Sequence, residues 1–138
     1  KDPEVALKDG SAMDHWRRMV AAQGGDPDAA LPTAKESFIV KAESTGTITT
    51  MDAMKVGVSA WRLGAGRSKQ GEKVQAGAGI EIHAKPGEVI NAGAPLFTLH
   101  TDESARFERA LQALEGAVTI IEGGVVDRLP LVLERIQG

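Results

Sequence analysis

The sequence predicts an α+β fold in which a mixed sheet is flanked by helices. Segments with apolar residues at helical spacing alternate with short runs of β-branched residues, in the order helix, strands, helix, strands, helix, strand. The sequence contains no repeat of fixed period. The chain has 138 residues. A domain near this size buries roughly 68–70% of its unfolded surface, which is enough for a hydrophobic core.

The first predicted element is an amphipathic helix. Ser11 is its predicted N-cap, and Asp14 lies in the first turn, where a carboxylate is favoured. Gly24 and Gly25 end the helix. Its apolar stripe packs either on the following domain or on a part of the protein absent here, and it consists of Met13, Trp16, Met19 and Val20.

Two strands and a second helix follow. Phe38–Val40 and Thr47–Thr50 are rich in β-branched residues and are separated by a Ser-Thr-Gly turn. Asp52 is the predicted N-cap of a helix that ends at Gly64 and Gly66. A stripe of mostly small residues would let this helix lie close to the sheet; it comprises Ala53, Val56, Gly57, Ala60 and Leu63.

Residues 84–99 predict a β-hairpin with two glycine turns. Before it, Ile80 and Ile82 alternate with polar residues, as in a half-buried strand. Gly87 and Gly93 stand where a tight reversal requires a positive φ, which glycine adopts without steric cost. The apolar side chains expected to be buried are Val89, Ile90, Leu96, Phe97 and Leu99.

A third helix and a last strand complete the prediction. Asp102 is the predicted cap of the helix, and Gly116 ends it. Its apolar face consists of Phe107, Ala110, Leu111 and Leu114. Residues 118–121 are the predicted strand. The C-terminal apolar residues fit either a short strand or a turn of helix; they are Leu131, Leu133 and Ile136.

The composition limits the possible partners. The net charge is −3, and the chain has two tryptophans, three phenylalanines and no tyrosine, which argues against a nucleic-acid binder. There is no cysteine, so disulfides and thiolate chemistry are excluded. No apolar run approaches the roughly 20 residues of a membrane helix, and the N-terminal sequence is not that of a signal or transit peptide. We therefore expect a cytoplasmic protein without a membrane or nucleic-acid partner.

Two short motifs suggest chemistry that their surroundings do not support. Ala53–Val56 resembles a biotin attachment motif centred on Lys55, but a biotinyl lysine requires an exposed hairpin tip, and Lys55 lies in a helical pattern. We therefore expect a solvated lysine on the first turn of the helix. Residues 63–69 contain two glycines and two cations, yet the glycines close a helix, where the negative end of the helix dipole opposes phosphate.

No residue is predicted to be catalytic, to bind a cofactor or to bind a metal. His83 and His100 fall on predicted strands and could be neighbours, but neither they nor His15 show metal-ligand spacing to a carboxylate. None of the serines lies in a nucleophile elbow.

Five segments together resemble one family, the class II pyrimidine-nucleoside phosphorylases, which include the thymidine phosphorylases. They occur in the expected order and cover nearly the whole chain: residues 17–27 (RRMVAAQGGDP), 40–49 (VKAESTGTIT), 51–67 (MDAMKVGVSAWRLGAGR), 79–102 (GIEIHAKPGEVINAGAPLFTLHTD) and 130–136 (PLVLERI). The resemblance is to the C-terminal region of these enzymes. It implies an α/β-hammerhead fold, which is related to the barrel-sandwich domains of biotinyl and lipoyl carriers.

The resemblance also implies a parent enzyme that splits a pyrimidine nucleoside with phosphate into the base and (2-deoxy)ribose 1-phosphate. Such enzymes are homodimers, and they bind phosphate and nucleoside in their earlier domains, so the chain itself is expected to be structural and inactive alone. Residues 1–32 would be a helical segment leading from the missing upstream domains, and 33–138 the hammerhead domain. Roles of Arg67, Lys69 or Lys85 in domain closure stay open. The alternative is a biotinyl- or lipoyl-type carrier domain modified at Lys55.

Overall fold

The computed structural model describes residues 2–67, 69–127, 132 and 134–136. The chain divides into two compact units, Lys1–Leu31 and Pro32–Gly138. Among the C-terminal apolar residues, Leu131 and Leu133 lie outside the described residues, and Ile136 is exposed and belongs to no helix or strand.

The first unit contains two helices, α1 (Pro3–Lys8) and α2 (Ser11–Ala22). The prediction that Ser11 is the N-cap of α2 is wrong, because the cap is Gly10 in the left-handed conformation. The Ser11 backbone N–H donates to Asp9 Oδ1 at 2.8 Å, and this bond lowers the pKa of Asp9.

The predicted end of α2 at its two glycines is confirmed. Gly24 has φ +80° and donates to the carbonyl of Ala21, while Gly25 donates to the carbonyl of Val20. These two bonds are a Schellman motif, which satisfies carbonyls that the helix leaves without a partner.

The described residues of the second unit form six strands and two α-helices. In chain order they are β1 (Glu36–Lys41), β2 (Gly46–Met51), α3 (Ala53–Ala60), β3 (Gly79–Ile82), β4 (Val89–Ile90), β5 (Pro95–Thr101), α4 (Phe107–Leu114) and β6 (Val118–Ile121). A π-helical turn, Trp61–Ala65, extends α3, and a 3-10 turn, Ser104–Arg106, precedes α4. The predicted α+β class with alternating helices and strands is therefore confirmed.

The strands form two three-stranded sheets. β5 is central in the first sheet, between β1 and β3, and β2 is central in the second, between β4 and β6. All of these pairs are antiparallel, where the sequence predicts one mixed sheet. Successive strands alternate between the two sheets, and the helices α3 and α4 lie in the connections β2–β3 and β5–β6.

The predicted hairpin is wrong in its pairing, although its glycine turns are confirmed. Gly87 and Gly93 have φ of +89° and +82°. The strands on either side of the Gly93 turn nevertheless lie in different sheets, because Gly93 donates to the carbonyl of Ala42 at 2.8 Å and directs the chain across to β1. β4 instead pairs with β2, and Val89, expected to be buried, is 74% exposed.

Two further local predictions fail. Asp102 does not cap α4; its Oδ1 accepts from the Lys35 N–H at 3.1 Å, and the 3-10 turn separates it from the helix. Ile82, expected to be half-buried, is 38% exposed. The burial of β3 therefore does not follow the alternation of apolar and polar residues in its sequence.

Helix α3 begins at Asp52 as predicted, since Asp52 Oδ1 accepts from the Lys55 N–H at 3.0 Å. Its buried face differs from the predicted stripe. Ser59 and Leu63 are buried, whereas Ala53 and Gly57 are exposed and a Cβ placed on Gly57 would meet nothing within 4 Å. The reason is that α3 packs against α4 as well as against a sheet, which rotates its buried face away from Gly57.

Among the described residues, all buried members of the hydrophobic core lie in the second unit. Ile48, Leu63, Phe97 and Leu99 are its largest fully buried apolar side chains, contributed by both sheets and by the π-helical turn. The apolar face of α4 packs against this core as predicted, with Ala110 fully buried. The polar side chain of Thr101 is also fully buried and donates to the carbonyl of Leu63 at 2.7 Å.

Candidate functional site

Lys55, the candidate carrier lysine, lies on the first turn of α3 and not at a hairpin tip. Its Nζ donates to the carbonyl oxygen of Glu115 at 2.8 Å, and the residue is half-buried. A cation there satisfies a carbonyl at the C-terminus of α4, where the helix dipole favours positive charge. The geometry contradicts both the carrier alternative and the expected solvated lysine, because Lys55 joins two helices.

The glycine-containing loop after α3 ends a helix, as predicted. The Gly64 carbonyl accepts from the backbone N–H of Gln75 at 3.0 Å, and the Arg67 carbonyl accepts from Trp61 Nε1 at 3.0 Å. A Cβ on Gly64, at φ +111°, would lie 2.8 Å from Cδ of Gln75. The carbonyl oxygens of this loop therefore accept hydrogen bonds that stabilise the end of the helix. Ser68 lies outside the described residues.

The prediction that His83 and His100 could be neighbours is wrong. His100 on β5 pairs with Gly79, whereas His83 follows β3 and donates its backbone N–H to the Leu96 carbonyl at 3.0 Å. His83 Nε2 is 2.7 Å from Thr98 Oγ1, and His100 Nε2 is 3.7 Å from Glu81 Oε2. His15 lies in the first unit, 2.8 Å from an Arg18 guanidinium nitrogen. Within the described ranges, no group of three or more histidine, cysteine, aspartate and glutamate side chains could hold a metal ion.

A cavity of about 380 Å³ between the π-helical turn and the start of α4 concentrates arginines. We call it the arginine cavity. It is lined by Trp61, Arg62, Gly66, Glu72, Glu103, Ala105, Arg106 and Arg109. Arg62 is anchored because its Nη1 donates to the Arg109 carbonyl at 2.6 Å, and Arg106 is anchored by an ion pair of 3.1 Å with Glu103.

The sequence reasoning did not single out these arginines. Arg106 and Arg109 are three residues apart, a spacing that places two side chains on one helix face. This spacing could have indicated a basic patch. Arg62 comes from another element 47 residues from Arg109, so its approach depends on how α3 packs on α4.

Comparison with known proteins identifies the fold family. The sequence profile of the pyrimidine nucleoside phosphorylase C-terminal domain matches residues 47–121, more than half of the chain. The chain belongs to this family. The matched segment runs from β2 to β6 and includes the second sheet, both helices of the second unit and the arginine cavity. The hammerhead fold expected from the resemblance is consistent with this family.

Whole enzymes that carry this domain are similar to nearly the full chain. A thymidine phosphorylase of Mycobacterium tuberculosis (strain CDC 1551 / Oshkosh) is 49% identical over 136 residues, which is 99% of this chain and 32% of that protein. A pyrimidine-nucleoside phosphorylase of Staphylococcus epidermidis is 32% identical over 124 residues, 86% of this chain and 28% of that protein. An AMP phosphorylase of Thermococcus kodakarensis is 32% identical over 127 residues, 89% of this chain and 24% of that protein.

The chain therefore spans about a third or less of the length of these curated relatives. In the described part of the chain, no helix has the length and apolar character needed to cross a membrane.

Proposed function

We propose that this chain is the C-terminal domain of an enzyme that splits pyrimidine nucleosides or deoxynucleosides with phosphate, giving the base and ribose or 2-deoxyribose 1-phosphate. The single observation that carries the proposal is the 49% identity to a thymidine phosphorylase over 99% of the chain. The 32% identity to a pyrimidine-nucleoside phosphorylase supports the same reaction class.

The domain's proposed role is structural. The groups that the sequence motifs suggested for chemistry form contacts within the domain: Lys55 satisfies the end of α4, and the carbonyls of Gly64 and Arg67 close the end of α3. The remaining two thirds of a relative such as the mycobacterial enzyme would supply the side chains that bind phosphate and nucleoside. We propose that the parent enzyme is a cytoplasmic homodimer and that the isolated chain is inactive.

The substrate is the finer part of the proposal. Similar domains occur in proteins named for thymidine, for pyrimidine nucleosides and for AMP. Because enzymes with these different names share the domain, we propose that base selection belongs to the upstream part of the enzyme.

The experiment compares the 138-residue chain with the longer enzyme that contains it. Each is incubated with phosphate and thymidine, deoxyuridine, uridine or AMP, and the released base is separated by chromatography. We expect phosphate-dependent base release from at least one pyrimidine nucleoside by the longer enzyme, and none above blank by the chain alone. Turnover by the chain alone would overturn its structural role. Release from AMP only would overturn the assignment to pyrimidine nucleosides.

A further inference from the structure

The arginine cavity brings three guanidinium groups to one concave surface. Arg62 reaches it from the π-helical turn, Arg106 from the 3-10 turn and Arg109 from the first turn of α4. Like charges at close range repel, more strongly where protein displaces water. A fold that holds three cations together needs anions to offset them.

The carboxylates at the cavity offset these charges only in part. Glu103 Oε1 accepts from Arg106 Nη2 at 3.1 Å and also from Gln75 Nε2 at 2.7 Å. Glu72 also lines the cavity. Three arginines and two glutamates leave one net positive charge among the lining side chains.

Hydrogen-bond donors at the cavity remain unmet. The Nε atoms of Arg62 and Arg106 are buried and have no hydrogen-bond partner. Among the described residues, the Arg109 side chain has neither a hydrogen bond nor an ion pair, and it is exposed. The buried Nε atoms are not reached from the cavity, but the exposed guanidinium of Arg109 is, and an oxyanion supplies it with several acceptors at once.

We propose that the arginine cavity binds a small phosphate monoester. Its phosphoryl oxygens would accept from the guanidinium groups, whose planar fork matches phosphate geometry. The volume, about 380 Å³, lies within the range of small-ligand pockets and exceeds the needs of inorganic phosphate. Trp61 adds a flat apolar wall beside the charges, suited to the carbon skeleton of the ester; its ring is 41% exposed and is oriented by the bond from Nε1 to Arg67.

This inference goes beyond the proposed function, because it depends only on residues of this chain and not on turnover of nucleosides. The arginines of the site are not among the residues that the sequence motifs identified.

The chain offers a built-in reporter for the test. It has two tryptophans, Trp16 in the first unit and Trp61 at the cavity. In a Trp16→Phe background, all tryptophan emission therefore comes from Trp61. Ribose 5-phosphate is titrated at constant ionic strength, because screening alone alters charged surfaces. Circular dichroism checks the fold of each variant.

We expect a saturable change in Trp61 emission with ribose 5-phosphate and none with ribose. Arg109→Gln should weaken binding about tenfold or more, since a charge-assisted contact is lost. Arg106→Gln should do the same, but it also breaks the ion pair with Glu103, so the exposed Arg109 is the safer variant. Arg17→Gln, which removes an arginine of the first unit, is the matched control and should leave affinity unchanged.

Several results would overturn the proposal. These are an emission change that does not saturate, an equal effect of Arg17→Gln and Arg109→Gln, or tighter binding of citrate than of ribose 5-phosphate, which would assign the cavity to carboxylates. As a second measurement, isothermal titration calorimetry tests whether the longer enzyme binds ribose 5-phosphate, and it applies even if the chain alone does not fold. Binding there, weakened by Arg109→Gln, supports the site. Absence of binding in the longer enzyme would overturn the proposal.

Discussion

Lys55 shows how a single side chain can join two elements that are distant in sequence. Its backbone N–H is capped by Asp52 at the start of α3, while its Nζ reaches the carbonyl of Glu115 at the end of α4. The same residue thus contributes to one helix start and one helix end. A cation on the first turn of a helix is slightly unfavourable, but here the charge is directed to another helix, where it is favourable.

Lys55→Met should therefore destabilise the chain. The change keeps the length and apolar stem of the side chain and removes the ammonium donor. We expect the free energy of unfolding to fall by about 1–2 kcal/mol, the effect of a charged hydrogen bond reduced by partial exposure. Urea denaturation measures it. Lys73→Met, at an exposed lysine, is the control and should stay within about 0.5 kcal/mol of the unchanged chain. Equal midpoints for both variants would refute the helix-joining role.

Substitutions at Gly93 and Gly57 distinguish destabilisation by backbone strain from destabilisation by side-chain crowding. A Cβ at either position would meet nothing within 4 Å, but Gly93 has φ +82° and Gly57 lies in a regular helix. Gly93→Val should cost about 1–3 kcal/mol through backbone strain, and Gly93→Ala less. Gly57→Ala should stabilise by about 0.5–1 kcal/mol, because glycine is unfavourable inside a helix. Thermal melting measures both, and effects of the same sign at both sites would contradict this explanation.

At the scale of elements, the end of β5 and the loop after α3 are held together by polar groups. Thr101 Oγ1 donates to the Leu63 carbonyl inside the core. Gln75 Oε1 accepts from the Asp102 N–H at 2.7 Å, and the Gln75 backbone bonds to Gly64. Carbonyls freed by the π-helical turn thus find donors from a strand and from a loop, as buried polar groups require.

Thr101→Val tests this connection, because the substitution keeps the shape and removes the hydroxyl. The Leu63 carbonyl would then lack its buried donor, and we expect a loss of about 1–3 kcal/mol. Thr119→Val on β6 is the matched control, since Thr119 is exposed, and it should change stability by no more than about 0.5 kcal/mol. Chemical denaturation of both variants gives the comparison. A cost at Thr119 equal to that at Thr101 would show that the buried bond contributes nothing specific.

Elements were predictable where their signals are local. The Asp52 cap, the glycine end of α2 and the apolar face of α4 depend on residues within a turn or two. Sheet membership is not local, since β4 and β5 adjoin the same short turn and still pair in different sheets.

The sequence predicts neither the buried face of α3 nor the arginine cavity, and the physical reason is the same for both. Val56, Ala60 and Leu63 fit the observed face and the predicted one equally well, and only contact with α4 decides that Ser59 is buried and Gly57 is not. The same packing brings Arg62 to Arg109. Helical spacing alone could have related Arg106 to Arg109, but no sequence pattern relates either to Arg62.

At the scale of the whole molecule, stability is concentrated in the second unit. Every buried core residue in the described part of the chain belongs to it, whereas neither α1 nor α2 contains a buried residue. The apolar stripe of α2 remains exposed, with Trp16 and Met19 about half accessible. Isolated helices of 12 residues or fewer are marginal in water, so α2 needs a packing surface for its stability.

Deleting residues 1–31 should therefore leave the second unit folded. We expect the fragment 32–138 to melt cooperatively within a few degrees of the 138-residue chain, because the deletion removes no core side chain. Hydrogen exchange should show weak protection of the α2 amides in the 138-residue chain. Protection should be strong in the longer enzyme, where upstream residues would cover the apolar stripe of α2.

Trp16→Ala is the complementary variant. It should leave the melting temperature of the chain unchanged and lower the melting temperature of the longer enzyme. If the fragment 32–138 failed to fold, or if α2 amides were as protected in the chain as in the longer enzyme, the stripe would have its packing surface within this chain.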